Sequence, residues 1–237
     1  ETWTEGYFYY AKIQKEIGNH TFTLSAMGAP QKHGQRSYKS TIYEYDTTYA
    51  NSLGIGDSLD YADISLLNRG VDYNKHWGKL DRWSLNSNGD TIHNNAILNT
   101  KQNYFHKPQY SLRHFWIVNE KFYISNISYT SIGNGGGTGI SGNSNNYDMY
   151  GQYNLQDAYN GNIGNTDLLY SDLEYKSSTY LRSSINNHYW YGLLSTANYN
   201  PSEEISISGG LDLRTYKGEH YREVYDLLGG DYAIDES

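Results

Sequence analysis

The chain has 237 residues, with 18 Lys and Arg against 26 Asp and Glu, a net charge of -8 and no cysteine. Scattered cations with no basic stripe argue against nucleic-acid binding, and the absence of thiols excludes disulfides and thiolate metal sites. No stretch approaches the roughly 20 apolar residues of a membrane-spanning helix, which leaves strands as the means of crossing a membrane.

The chain begins at Glu1 with no apolar leader, so its beginning is expected to be processed or missing. Residues 6–17 and 20–30 alternate apolar and polar side chains on either side of Gly18-Asn19 and predict a hairpin. A long polar stretch, residues 31–105, follows. A second hairpin is expected from residues 106–118 and 121–132 around Asn119-Glu120, then another polar stretch, residues 133–187. Residues 188–199 and 203–216, joined through Asn200-Pro201-Ser202-Glu203, form the third hairpin, and residues 217–237 the last loop. Hairpins at about 6–30, 106–132 and 188–216 with long loops between them describe an all-β chain, a fragment of a transmembrane antiparallel β-barrel. In such a wall the periplasmic turns are short and the extracellular loops long. Six strands cannot close a barrel, which takes about eight.

Tyrosine is abundant, 27 against 5 Phe, and its apolar body with a wet tip suits membrane interfaces. Alternation puts Tyr110, Leu112, His114 and Trp116 on one face of the third strand and Arg113 on the other. In the last strand it parts Leu211 and Leu213 from Asp212 and Arg214. Arg113, Asp212 and Arg214 are expected to face the lumen, because a midplane arginine on the lipid face costs about 2 to 4 kcal/mol. Trp116 and Tyr199, each just before a turn, are expected in the periplasmic aromatic girdle.

Candidate ligand or partner residues lie in the first long stretch. Trp77, Trp83 and Tyr61 offer flat stacking surfaces, together with Tyr43, Tyr45, Tyr49 and Tyr73. His33 and Arg36 emerge where a strand ends after Gly28 and Pro30. This stretch is expected to serve as an interaction surface and to add little to barrel stability. Residues 86–95 (NSNGDTIHNN) carry oxygen ligands suited to calcium without the EF-hand spacing; no other cofactor is indicated. Gly133 to Gly139 suggests a flexible outer turn, since the lysine of a phosphate loop is absent. No metalloprotease or nucleophile-elbow motif occurs and the eight histidines are dispersed, so no enzymatic activity is expected.

Several runs also carry a family resemblance: Gly28 to Arg36 (GAPQKHGQR), Asn103 to Gln109 (NYFHKPQ) leading into His114-Phe115-Trp116, Gly133 to Gly139, His188 to Gly192 (HYWYG), and Asp212 to Tyr221 (DLRTYKGEHY). In order and along most of the chain, these resemble the C-terminal part of the barrel of TonB-dependent outer-membrane receptors of the SusC-like type, including those with a carboxypeptidase-regulatory-like domain. The resemblance implies a barrel of about 22 strands around a plug. It also implies import of a bound peptide or glycan nutrient with energy relayed by TonB, through a region outside this chain. Further implications are a cell outer-membrane location with loops on the cell surface, contact with outer-membrane lipid, and a SusD-like surface lipoprotein as partner. Two other readings stand beside it: a non-transporting barrel subunit that scaffolds a larger outer-membrane assembly, and a secreted β-rich carbohydrate-binding protein.

Overall fold

Alternating side chains become a curved sheet. The computed structural model describes residues 2–36, 41–54, 68–143 and 146–234. Its chain runs β1 (Thr4–Gly6), β2 (Tyr9–Ile17), β3 (His20–Gly28), β4 (Gln31–Gly34), α1 (Ile42–Tyr45), α2 (Thr47–Ser52), β5 (Trp77–Leu85) and β6 (Thr91–Asn99). Then follow β7 (Gln102–His106), β8 (Gln109–Asn119), β9 (Phe122–Gly142), α3 (Leu155–Asn162), β10 (Thr166–Asp167), β11 (Ser171–Tyr175), β12 (Thr179–Tyr199) and β13 (Ile207–Asp226). Strands β2, β3, β8, β9, β12 and β13 pair antiparallel in that spatial order. The sheet curls like half a barrel.

All three strand-to-strand turns lie at one end of this wall. Gly18-Asn19 joins β2 to β3 with Gly18 at φ +57°, and Glu120-Lys121 joins β8 to β9 after a bulge at Val118. The third connection, residues 200–206, is longer than expected and leaves Ile205 outside the strand. Lys121 ties two of the turns together: its carbonyl accepts from the Asn200 amide at 2.8 Å, and its ammonium donates to the Pro201 carbonyl at 2.9 Å.

The strands also run further than the apolar alternation implied. Residues 31–34 and 102–105, expected in a loop, belong to β4 and β7; β9 continues to Gly142, β12 begins at Thr179 and β13 reaches Asp226. Gly133 to Gly139 is not a flexible turn but part of β9. At Gly133 and Gly136 glycine is needed because side chains of neighbouring strands lie over them. A Cβ on Gly133 would sit 2.5 Å from the His188 ring, and one on Gly136 would sit 2.7 Å from the Tyr104 hydroxyl. Tyr129 covers Gly192 and Tyr9 covers Gly28 in the same way, an aromatic rescue of glycine in a sheet.

A crease crosses the wall. β1 and β2 are one strand interrupted at Tyr7-Phe8, β3 and β4 one interrupted at Ala29-Pro30, and β7 and β8 one interrupted at Lys107-Pro108. Proline has no amide proton for the ladder. Across β9 and β12 the pairing lapses between Gly133↔His188 and Gly136↔Ile185, where the Asn187 side chain accepts from the Gly135 amide at 3.4 Å. From the turns to the crease the wall is nine residues tall in β2 and β3 and eleven in β8.

Register gives this lower wall two faces. One row reads Ile13, Leu24, Leu112, Ser128, Leu193, Leu213; the next reads Gln14, Thr23, Arg113, Ile127, Leu194, Asp212. Trp116, Tyr199 and Leu211 share the first face, Arg214 the second.

Above the crease a folded cap covers the first face. Leu80 and Leu98 of the β5–β6 hairpin, Leu155 and Tyr159 of α3, and Leu228 enclose Leu181 of β12, with Ile140 of β9 beside it. The segment 31–105, expected to add little to barrel stability, thus contributes Leu80 and Leu98 to the core of the cap. Asn162, at the C-terminal end of α3 and 1% exposed, knots the cap to the wall. Its amide donates to the carbonyls of Thr179 (2.7 Å) and Leu228 (2.9 Å), and its oxygen accepts from the Ser178 amide (2.9 Å).

His76, buried beside this hairpin, makes the cap pH-sensitive. Burial, helped by the charges of Lys75 and Lys101, lowers its pKa to about 4 from 6.5. Between those values the unfolded chain binds more protons than the folded one, so stability rises with pH there and is lost as pH falls. Moving from neutral pH to 5 should cost the cap about 2 kcal/mol. Amide hydrogen exchange in residues 74–102 measures this, and His76→Gln should flatten the dependence.

Candidate functional site

The four described candidate residues separate into two places. Tyr61 lies outside the described residues. Arg36 straps a strand exit to the neighbouring segment, donating to the Val71 carbonyl at 2.6 Å while its guanidinium lies 5.3 Å from the Tyr45 ring centre. His33 of β4 is flanked by the amides of Gln31 (3.0 Å) and Gln35 (3.3 Å). Trp77 opens β5 opposite Asn99, with its indole nitrogen buried. Asn99 in turn crowds Gly34 together with Trp3. Arg36, His33 and Trp77 thus belong to the junction between wall and cap.

Trp83 is different. It stands on the outward face of the β5–β6 hairpin, 43% exposed and directly opposite His93. One step along, Asp81 lies opposite Asn95, and its carboxylate meets His93 Nδ1 at 2.6 Å. Lys79 and Ile97 continue the same face. The platform is held from behind by α3, whose Asn154 cap accepts from the Asp157 amide at 3.1 Å. Gln156 accepts from the Asp81 amide at 2.7 Å, and the Tyr159 hydroxyl reaches the Trp83 backbone at 3.4 Å. Side chains of the helix therefore satisfy the open edge of β5, which would otherwise invite pairing with another strand. A flat indole beside a carboxylate, an imidazole and an amide suits a ligand with one apolar face and several hydroxyl or amide groups.

The hairpin tip uses its oxygens internally. Asn86 Oδ1 accepts from the amides of Asn88 (2.8 Å) and Asp90 (2.9 Å), and Gly89 takes φ +85°. This is Asx-turn chemistry; among the described residues no group of three His, Cys, Asp or Glu gathers to hold a metal.

On the polar wall face Arg214 pairs with Asp212 two residues before it. Arg113 lines an open recess of about 390 Å³ with Lys12, Gln14, Glu16 and Thr23. Sequence reasoning marked these charges and Trp83 but missed His93, Asp81 and Asn95, whose meeting depends on the hairpin register. No protein-family model matches the chain, and no curated protein or solved structure matches it.

Proposed function

We propose that the chain is a stretch of wall and surface cap from an outer-membrane receptor of the TonB-dependent, SusC-like kind, which gathers a peptide or glycan nutrient at the cap and imports it. The observation that carries the reading is the contiguous apolar face between the turns and the crease. Ile13, Leu24, Leu112, Leu193, Leu211 and Leu213 are all exposed on it, whereas a soluble secreted protein rarely leaves so large a patch uncovered. Its height matches the 9 to 11 residues of a tilted membrane strand, roughly one bilayer core. Aromatic residues mark both borders: Trp116, Phe122 and Tyr199 near the turns, Tyr7, Phe8 and Tyr9 at the crease. The charged recess on the opposite face suits a wet lumen.

The chain has no cysteine, so single cysteines report topology cleanly. On intact cells an impermeant maleimide should label Asn88→Cys at the hairpin tip and reach Asn19→Cys only after the outer membrane is opened. Labelling of both from outside, or recovery of the protein in the soluble fraction, would sink the membrane reading. Trp83→Ala should weaken nutrient capture by about 2 kcal/mol, roughly 30-fold, as for a central aromatic anchor. Capture without TonB-dependent uptake would instead favour the scaffold subunit.

A further inference from the structure

One feature of the apolar face is polar. His20, His114, Asn126 and Ser195 stand on that face on four neighbouring strands, β3, β8, β9 and β12, and form a hydrogen-bonded chain. The Ser195 hydroxyl donates to Asn126 Oδ1 at 2.6 Å, Asn126 Nδ2 donates to His114 Nδ1 at 3.3 Å, and His114 Nε2 lies 2.9 Å from His20 Nδ1. The amide fixes the direction: with His114 Nδ1 an acceptor, its proton sits on Nε2 and is donated to His20 Nδ1. His20 then carries its own proton on Nε2, and among the described residues that N–H has no acceptor. Four polar side chains are thereby linked to one another, and the chain ends at His20 in an outward donor.

The surroundings of that donor are specific. His20 follows the Gly18-Asn19 turn and stacks against Trp116, ring centres 5.3 Å apart. Lys15 stands on the same face of the adjacent strand, opposite Phe22, and its side chain is exposed. Toward the crease the face opens into a shallow depression of about 600 Å³. Its floor is the small side chains Ser128 and Thr130 of β9, and its rims are Tyr110 and Leu112 on one side, Tyr191 and Leu213 on the other. A cation and a hydrogen-bond donor at the interface, continued by an apolar trough along the strand, match a phosphate head with a hydrocarbon tail.

We propose that this face binds one glycerophospholipid, its phosphate held by His20 Nε2–H and the Lys15 ammonium and one acyl chain laid over Ser128 and Thr130. The inference rests on the reading of the wall as membrane-spanning. Ionisable side chains facing a membrane are otherwise expensive and mark sites.

The test is native mass spectrometry of the protein extracted from outer membranes in mild detergent and titrated with phosphatidylglycerol. The wild type should retain one lipid under activation that strips the rest, and inorganic phosphate should not displace it. Lys15→Met with His20→Phe should lower that occupancy at least 10-fold. Ser128→Leu, which fills the depression and leaves the polar chain intact, should do the same. Folding of each variant is checked by heat-modifiable migration. Equal retention in all three proteins would reduce the lipid to ordinary boundary lipid, and a stable dimer without lipid would give the face to a second copy; either overturns the proposal. A wild type that inserts but retains nothing overturns this inference alone, whereas one absent from the membrane fraction overturns the membrane reading with it.

Discussion

On the proposed membrane-spanning reading of the wall, arginine at Leu213 should cost about 2 to 4 kcal/mol of stability, the depth-dependent cost of a cation facing hydrocarbon. Leu213 is 53% exposed, lies opposite Leu193 and stands in the middle of the lower wall. Gln14→Arg is the matched control: it lies in the adjoining row of the polar face, beside the recess that already holds Arg113 and Lys12. Chemical unfolding of the full-length protein reconstituted in lipid bilayers compares the two. A large loss for Leu213→Arg with little change for Gln14→Arg supports the assignment of faces. The reverse order would mean that the leucine face lines the lumen, because a swap of faces moves every side chain together.

The pairing was legible in the sequence because a two-residue period binds each side chain to a face, and a tight turn then fixes the register. Leu211 and Leu213 could be parted from Asp212 and Arg214 on that ground alone. His114 resisted the same logic. A histidine in an apolar row makes sense only once Asn126 and Ser195 are known to stand beside it, and their sequence separations of 12 and 81 residues hide this. Strand length was illegible for a different reason. Beyond the crease the wall gives the cap core little more than Leu181 and Ile140, so the hydrophobic alternation fades while the backbone ladder continues through the glycines of β9.

The cap was harder still. The β5–β6 hairpin buries little more than Leu80 and Leu98, too few apolar positions to stand out from a polar loop. Asn162 looks like any helix-end asparagine, since its partners are backbone groups 17 and 66 residues away. Among the candidate site residues, aromatic character gave Trp83 and Trp77 the same role, whereas the structure leaves Trp83 43% exposed and buries the Trp77 indole nitrogen. Only the packing of Asn99 against Gly34 and Trp3 marks that end of the hairpin as a joint.

Leu181→Ala tests how far wall and cap depend on each other. Leu181 is fully buried near the start of β12, enclosed by Leu80, Leu155, Tyr159 and Leu228. Removing such a side chain leaves a cavity and should cost about 2 to 5 kcal/mol. The loss should fall on the cap: hydrogen exchange and proteolysis should rise in residues 77–99 and 155–163. The lower wall, whose ladder between turns and crease does not involve Leu181, should keep its slow amide exchange. Deleting residues 40–100 should act in the same direction, because it removes Leu80 and Leu98 and uncovers Leu181. If Leu181→Ala instead melts the wall, the crease does not separate two cooperative units, and the cap is a folding element of the barrel. If neither exchange nor proteolysis changes, the hairpin is held by its hydrogen bonds to Gln156 and Tyr159 and by the Arg82–Asp226 ion pair, and the apolar cluster contributes little to holding it.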